Sequence, residues 1–226
     1  MGAVLCLFGK MDYTQKVLEH PLFIKIQNEI SQLEDGRIYC HHELAHALDV
    51  CRIAWILYLE AFRVWYGEDV SLERTVAKAT DCCRPKNGLL TSEKRWEQSE
   101  SAFLGGKSAD KEKPERLYQI RDRMYVAGLL HDIGRAAQYT TGVHHSIAGI
   151  LPAKQILEDI GYPEEWKAET LAIVGEHYGR EEKKLDPNGI AYYIDRADHL
   201  SRNCFACAAS DTCKWKEEEK NQKLLC

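Results

Sequence analysis

The stretch Ala127-Gly128-Leu129-Leu130-His131-Asp132-Ile133-Gly134 sets two adjacent polar side chains at the end of an apolar run. Apolar residues recur at helical spacing before it, so we predict a buried helix over 115–131. A buried histidine and aspartate need partners, because burying polar groups without hydrogen bonds costs free energy. Gly134 lets the chain turn at once, since glycine tolerates conformations that other residues avoid. This stretch therefore predicts a helix end that presents His131 and Asp132 to other groups.

The same helical spacing extends over most of the chain, and few stretches alternate strictly between apolar and polar residues, so we predict an all-α fold. Gly161 is typical of a residue that follows a helix C-terminus, and Pro163 of one near the next N-terminus. The further predicted helices cover 12–33 with a break near Pro21, 41–66, 71–81, 144–160, 163–178 and 189–203.

A length of 226 residues corresponds to one large domain, or to one domain with an appendage. We interpret the chain as a single domain over 1–226, with a core at about 36–83 and 115–203. Residues 84–114 are polar and rich in turn formers, which predicts a loop or a disordered insertion. Residues 204–226 form a cysteine-containing tail.

Composition excludes several classes of protein. The longest apolar run, Ile53 to Leu59, is far shorter than the roughly 20 residues of a membrane helix, so we expect no membrane association. A formal net charge of -5 argues against a binder of duplex nucleic acid but allows a local basic pocket for an anion. The first ten residues lack the basic region of a secretory signal, and nine cysteines are an odd number. Both features favour a cytoplasmic protein with reduced thiols.

Six residues on or at the ends of predicted helices are the strongest candidates for metal ligands: His46, His131, Asp132, His145, His177 and Asp198. Four imidazoles and two carboxylates can hold one or two divalent ions such as Fe, Mn or Zn. A carboxylate such as Asp132 can bridge two metals, which would activate a water and clamp the oxygens of a phosphoryl group. A single buried histidine is more often a satisfied core residue, but six such residues together are hard to explain in that way.

In its order of His, His-Asp and Asp, the chain resembles the HD-domain superfamily of metal-dependent phosphohydrolases. The resemblance covers about 40–203, apart from the insertion, and rests on His46-Ala47-Leu48-Asp49-Val50, Leu129-Leu130-His131-Asp132-Ile133-Gly134 and Ala197-Asp198. It implies a helical bundle with a metal site between its helices. It also implies a mononuclear ligand set, and two further ligands in dinuclear branches. The first set is His46, His131, Asp132 and Asp198, and the second pair is His145 and His177.

The spacing of His145, Gly149 and His177, followed by Tyr192 to Asp198, is similar to the branch that hydrolyses dinucleoside polyphosphates. The implied activity is hydrolysis of a phosphoester or phosphoanhydride of a nucleotide or a small phosphorylated metabolite by a metal-activated hydroxide. A di-iron oxygenase can be built on the same ligands. A non-catalytic metal- or redox-sensing module is a third alternative. The sequence leaves the substrate, the metal and the oligomeric state open.

Arg135 follows the ligand turn and is a candidate to bind a phosphate, so we assign it a catalytic role beside Asp132. Its alternative is a surface arginine. Of the neighbouring His144 and His145, the helical phase favours His145 as the inward one. Other residues have two open interpretations. A phosphate rim or a solvated loop is formed by Arg180, Lys183 and Lys184. Stacking on a base or packing is open to Tyr139 and Tyr178. We expect surface or capping roles for His41 and His42, and we expect His199 to face away from the site.

Cys204, Cys207 and Cys213 lie within ten residues just beyond the last predicted helix. Thiolates at this spacing suit zinc or an iron–sulfur cluster, which would need a fourth ligand. Candidates for that ligand are Cys226, Cys82, Cys83 or a histidine. The alternative is a set of reduced thiols packed under Phe205 and Trp215.

Overall fold

The computed structural model describes residues 11–65, 112–176, 185–186 and 189–224. These residues form helices and turns and no strand, so the all-α prediction is confirmed. Three short 3-10 helices follow the last α-helix, at Cys204–Ala206, Ser210–Thr212 and Glu217–Glu219. The α-helices are α1 (Asp12–Glu19), α2 (Pro21–Leu33), α3 (Leu44–Trp65), α4 (Glu112–Leu130), α5 (Arg135–Thr141), α6 (His145–Ala148), α7 (Ile150–Asp159), α8 (Glu164–Glu176) and α9 (Ile190–Leu200).

Most predicted helices are confirmed, with shifted ends. The break near Pro21 is present, because His20 is extended and its side chain accepts a hydrogen bond from the Leu22 amide to start α2. Gly161 follows α7 with a φ of 68°, the left-handed conformation expected after a helix. Helix α4 begins at Glu112, three residues before its predicted start at residue 115. The predicted helix at 71–81 and most of the 84–114 insertion lie outside the described residues.

One local prediction was wrong, and one short helix was missed. The predicted helix over 144–160 is interrupted at Gly149, which separates α6 from α7. Helix α5 was not predicted. It is only 7 residues long and has a single buried position, Ala136, so it carries no apolar periodicity that a sequence could show.

Contacts along the chain divide it into two compact units. The first unit comprises Met1–Leu59 and Leu117–Cys226, and the second comprises Glu60–Arg116. Most of the second unit lies outside the described residues. The packing and the candidate site described below belong to the first unit.

The core of the first unit surrounds the C-terminal half of α4. In this half of α4, Val126, Leu129 and Leu130 are at most 1% exposed. They pack with residues from α1, α2, α3, α7 and α8. Each such side chain contributes roughly 2 kcal/mol by leaving water. Gly128 lets α3 approach closely, since a Cβ at this position would lie 2.6 Å from Cys51 Sγ. The apolar run quoted above is thus the centre of the fold, which fixes the position of His131 and Asp132 at its end.

Helix α4 also provides a hydrogen-bond acceptor for the amide groups at the N-terminus of α1. Met11 precedes α1 without a capping side chain. The buried Asp122 carboxylate instead accepts hydrogen bonds from the amides of Tyr13 (3.0 Å) and Thr14 (2.8 Å). Helix N-termini leave amide donors without partners within the helix, and a carboxylate there is stabilised by the helix dipole. Asp122 therefore ties the start of the described chain to the helix that carries the ligand pair.

Gly134 is required for a reason other than the predicted one. Its φ of -81° and ψ of 0° are open to any residue, so the turn does not need the conformational freedom of glycine. A Cβ here would overlap the His145 carbonyl oxygen and lie 2.6 Å from the Gly149 nitrogen. Gly134 therefore allows the turn after α4 to pack directly against the backbone of α6.

Replacing Gly134 by alanine is expected to destabilise the protein by about 3 kcal/mol, because both overlapping groups are backbone and cannot rotate away. Urea unfolding measures this change. Gly175→Ala is the matched control, since its Cβ would meet only the end of the flexible Ile150 side chain, at 3.3 Å. Equal unfolding free energies for the two variants would contradict this account of the turn.

Candidate metal centre

Four segments of the fold bring candidate ligands to one place. Helix α3 supplies His46, the turn after α4 supplies His131 and Asp132, α6 supplies His145, and α9 supplies Asp198. His177 lies outside the described residues, so its predicted role remains a prediction.

The two oxygens of Asp132 have different neighbours. Oδ2 lies 3.5 Å from Nε2 of His131 and 3.8 Å from Nε2 of His46. One donor atom from each of these three residues lies within 4.8 Å of the others, close enough for a single ion. Oδ1 lies 3.3 Å from Nε2 of His145 and 2.9 Å from Nε of Arg135. The carboxylate thus faces one group of residues with each oxygen, His46 and His131 with Oδ2 and His145 and Arg135 with Oδ1, as a ligand that bridges two metals would.

Asp198 lies beside the two histidines that face Oδ2 of Asp132. Its Oδ1 lies 3.2 Å from Nε2 of His46 and 3.9 Å from Nε2 of His131. The side chain of Asp198 is 31% exposed, whereas those of His131 and Asp132 are at most 3% exposed. Asp198 therefore lies on the open side of the cluster, where a substrate would approach.

Each of the three histidines is held through its other ring nitrogen. Nδ1 of His131 lies 2.6 Å from the Gly128 carbonyl oxygen, and Nδ1 of His145 lies 2.8 Å from Oε1 of Gln138. Nδ1 of His46 lies 3.3 Å from the hydroxyl of Ser201, which itself donates to the Asp198 carbonyl. Because carbonyl and amide oxygens only accept, this assigns the proton of His131 and His145 to Nδ1. Their Nε2 lone pairs then face the carboxylates, as metal ligands require.

The electrostatics of the cluster favour a bound cation. Burial lowers the pKa of His46, but the hydrogen bond to Asp198 and the charges of Asp198 and Asp132 outweigh burial and hold this pKa above its ordinary value. The same carboxylates that attract a proton attract a divalent ion. The donor set of imidazole and carboxylate suits Fe, Mn or Zn. The residues present therefore fit a divalent transition metal.

Gln138 and Ser201 are anchoring residues that the sequence did not reveal. Gln138 lies on the unpredicted helix α5, and its Oε1 also receives a hydrogen bond from Arg135 Nη1 at 3.4 Å. Ser201 lies three residues after Asp198, at the end of α9. That spacing at a helix end is the only signal that points to Ser201, and none points to Gln138.

Gln138→Ala is expected to lower metal affinity by about 10- to 100-fold, because the His145 ring would lose the acceptor that fixes its orientation. Gln138→Glu is the conservative control, since a carboxylate keeps an acceptor for Nδ1 and should retain most of the affinity. Titration of metal-free protein with Mn²⁺ measures both. Wild-type affinity in Gln138→Ala would remove His145 from the ligand set.

A pocket of about 640 Å³ opens on the cluster. His46, Asp198 and Arg135 line its metal side. The Arg202 guanidinium lies 4.2 Å from the centre of the Trp215 ring, and Nζ of Lys214 lies 5.3 Å from it. The pocket is rich in cationic side chains, which are Arg37, Arg135, Arg196, Arg202 and Lys214, against two carboxylates, Asp195 and Asp198. Its chemistry favours an anionic ligand next to the metal ligands.

A second polar network lies next to this pocket, and its member His42 lines the pocket. Glu34, at the end of α2, is fully buried and accepts hydrogen bonds from the His42 amide (2.6 Å) and the Tyr139 hydroxyl (2.5 Å). Nδ1 of His42 lies 2.6 Å from the same carboxylate. Burial raises the pKa of Glu34, but its hydrogen bonds to His42 and Tyr139 dominate and lower the pKa to about 2. Glu34 is therefore a buried carboxylate that the network keeps ionised.

This network corrects the surface interpretation of His42 and agrees with the packing interpretation of Tyr139. The His42 side chain is only 13% exposed and contacts Glu34, so a surface role was wrong. Its ring lies 5.6 Å from that of His46, centre to centre, which links the network to the ligands. The hydroxyl of Tyr139 donates a hydrogen bond to Glu34. His41 is exposed, as predicted, and its Nε2 lies 3.0 Å from the Arg37 carbonyl oxygen.

The remaining candidates divide between confirmed and untested positions. His145 is buried and points inward, as predicted, whereas the His144 ring accepts a hydrogen bond from the Ser146 amide and caps α6. His199 contacts Arg202 and lines the pocket that opens on the cluster, and its predicted orientation away from the site stays a prediction. Arg180, Lys183, Lys184 and Tyr178 lie outside the described residues.

Among the helices that the structure describes, none is both long enough and apolar enough to cross a bilayer.

No solved structure matches the chain. A protein of Clostridium beijerinckii, described as uncharacterized, is 27% identical over 214 residues, which cover 95% of this chain and 99% of the relative. Residues 100–203 match the HD domain family. The match includes His131, Asp132 and Asp198 but begins after His46. The fold brings His46 to the same cluster, beside Asp198. An HD domain at residues 100–203 thus supports the HD superfamily as the one to which this chain is related.

Proposed function

We propose that this protein is a metal-dependent phosphohydrolase that cleaves a phosphoester or phosphoanhydride of a nucleotide or a small phosphorylated metabolite. The observation that carries the proposal is the convergence of His46, His131, Asp132 and Asp198 next to a cationic pocket, which His46 and Asp198 line. Ligands for a cation and contacts for an anion lie side by side, and hydrolysis of a phosphate by an activated water needs both.

These four residues would hold one divalent metal, which when bound supplies hydroxide at neutral pH by lowering the pKa of a bound water. We propose His145 and His177 as ligands of a second metal, with Asp132 bridging. Arg135 holds the outer oxygen of Asp132 through Nε while its side chain lines the pocket, so it orients the carboxylate next to the substrate. In this proposal Arg135 also contacts the phosphate.

The pocket supports a nucleotide as the substrate. Arginine guanidinium groups bind phosphate oxygens in pairs of hydrogen bonds, and Arg196 and Arg202 line the same pocket as Asp198. Trp215 adds an aromatic surface on which a base can stack. We therefore propose a substrate with several phosphates and at least one base, and the dinucleoside polyphosphates are the first class to test. A cytoplasmic location, where such nucleotides occur, is part of the proposal.

The test is a substrate panel on metal-free protein that has been reloaded separately with Mn²⁺, Fe²⁺ or Zn²⁺. The panel contains nucleoside monophosphates, nucleoside triphosphates, dinucleoside polyphosphates and a phosphate ester without a base. Products are resolved by chromatography while an electrode records oxygen. We expect metal-dependent hydrolysis without oxygen consumption. Arg202→Gln should raise the KM for the phosphate-rich substrates about 10- to 100-fold, since one charge-assisted contact contributes about 1.5–3 kcal/mol.

Two outcomes would overturn the proposal. Turnover that requires oxygen would favour the di-iron oxygenase. Full metal loading without turnover of any phosphate compound would favour the non-catalytic sensing module.

A further inference from the structure

The cysteine-containing tail is held in place by very few buried side chains. In residues 201–224, only Cys204, Ala209 and Asn221 are buried. The Asn221 amide donates to the carbonyl oxygens of His199 (2.7 Å) and Arg202 (2.9 Å), at the end of α9. A segment with so little apolar burial and only short 3-10 helices needs another source of cohesion.

The tail packs against the segment that leads into α3. The Tyr39 hydroxyl donates to the carbonyl oxygen of Thr212 (3.3 Å), which joins the two segments. A cavity of about 310 Å³ lies between them. Four of the five free cysteines that the structure describes line this cavity, namely Cys40, Cys204, Cys207 and Cys213. The fifth, Cys51, is buried in the core against Gly128.

The four thiols line one cavity although they come from two segments that are far apart in sequence. Cysteine thiolates brought together in this way are the usual ligands of a structural zinc ion. The Cys207 amide donates to the Cys204 carbonyl oxygen (3.2 Å), so the Cys-x-x-Cys segment forms a tight turn. Two thiolates on such a turn are a recurring half of structural zinc sites.

We propose that Cys40, Cys204, Cys207 and Cys213 form a closed, four-cysteine zinc site. Zinc is the metal of choice because a tetrahedral set of four thiolates, with no open position, is its usual structural arrangement. The fourth ligand is Cys40, which lies far from the other three in sequence. Among the described residues, only the His46, His131 and Asp132 group has three donor atoms within 4.8 Å of one another. Zinc binding would therefore draw the four sulfurs closer together and stiffen the tail.

This site would also shape the larger pocket, a consequence that rests on the proposed function. Cys40 and Cys213 line both cavities. Lys214 and Trp215 directly follow Cys213 and line the larger pocket only. Zinc at Cys213 would fix both side chains at the pocket wall. Loss of zinc is then expected to raise the KM for a phosphate substrate while the metal at Asp132 stays bound.

The experiment measures zinc per chain in the 226-residue protein, first in an Asp132→Ala background that weakens the other centre. We expect one equivalent of zinc that resists a mild chelator, and its loss in Cys40→Ser. Cys226→Ser is the matched control and should keep the zinc. Circular dichroism verifies that each variant is helical. Zinc retained in Cys40→Ser, or lost in Cys226→Ser, would overturn the assignment.

A second measurement uses the wild-type chain, so that it does not depend on the folding of any variant. Protein loaded with Co²⁺ should show thiolate-to-cobalt charge-transfer absorption, and added Zn²⁺ should abolish it. Zinc should also protect four thiols from a thiol reagent. The absence of the absorption, or the recovery of iron with acid-labile sulfide, would contradict a zinc site. Neither readout requires hydrolysis, so failure here and failure of the proposed function are distinguishable.

Discussion

Asp132→Ala is expected to remove the metal from the candidate metal centre and to abolish hydrolysis. The carboxylate faces His46 and His131 with one oxygen and His145 and Arg135 with the other. Its loss leaves Asp198 as the one carboxylate among the described candidate ligands. Removal of a single donor that stabilises a transition state lowers kcat by about 10²- to 10³-fold, and a ligand that also holds the metal should cost more. We therefore expect a loss of at least about 10³-fold.

The measurement pairs metal content with activity on the best substrate of the panel. Asp35→Asn is the matched control, because Asp35 is an exposed aspartate in the turn after α2. It should keep both metal and activity. Helical circular dichroism and the urea midpoint distinguish a lost ligand from a lost fold. A folded Asp132→Ala protein that still binds metal and hydrolyses substrate would disprove the centre described here.

Glu34→Ala is expected to destabilise the fold by about 3–5 kcal/mol, the typical effect of removing one partner from a buried ionic network. The carboxylate is fully buried and accepts hydrogen bonds from the His42 amide and the Tyr139 hydroxyl. Without it, the His42 amide loses its acceptor, and the Tyr139 hydroxyl keeps only the more distant Nδ1 of His42, at 3.2 Å. Urea unfolding at neutral pH measures the change. Glu29→Ala on the same helix is the control, since Glu29 forms only a surface pair with Lys25 at 3.8 Å.

The same residue gives a pH dependence with a defined sign. Hydrogen bonding lowers the pKa of Glu34 from 4.5 to about 2, so the folded state releases the proton more readily than the unfolded state. Its contribution to stability is therefore complete above pH 4.5 and is lost as the pH falls towards 2. Glu34→Gln removes this titration, so its unfolding free energy should fall less between about pH 6 and about pH 3 than that of the wild type. An identical decrease in both proteins would contradict the role of Glu34.

The sequence predicted the helical fold because its signal is local. Apolar residues one turn apart indicate the buried face of a helix, and Gly161 and Pro21 mark helix ends through backbone restrictions of their own. The adjacent His131 and Asp132 needed no tertiary information, since an apolar run followed by two polar residues already implies that they have partners. The position of Gly134 was also evident, but its reason, the close approach of α6, was not.

Only the tertiary structure decided which distant residues complete each site. Glu34 looks like one more charged residue at a helix end, yet the fold buries it against His42 and Tyr139. Gln138 and Ser201 carry no motif, and only their distances to His145 and His46 reveal them.

Cys40 shows the same limit. It is separated from the tail cysteines by most of the chain, and local patterns carry no information about pairs that meet only through packing. The sequence by itself therefore determined the helical class and the core of the candidate ligand set. Packing of elements remote in sequence decided how the ligands are oriented, what surrounds them and which cysteines share a cavity, because these depend on long-range contacts that no periodicity records.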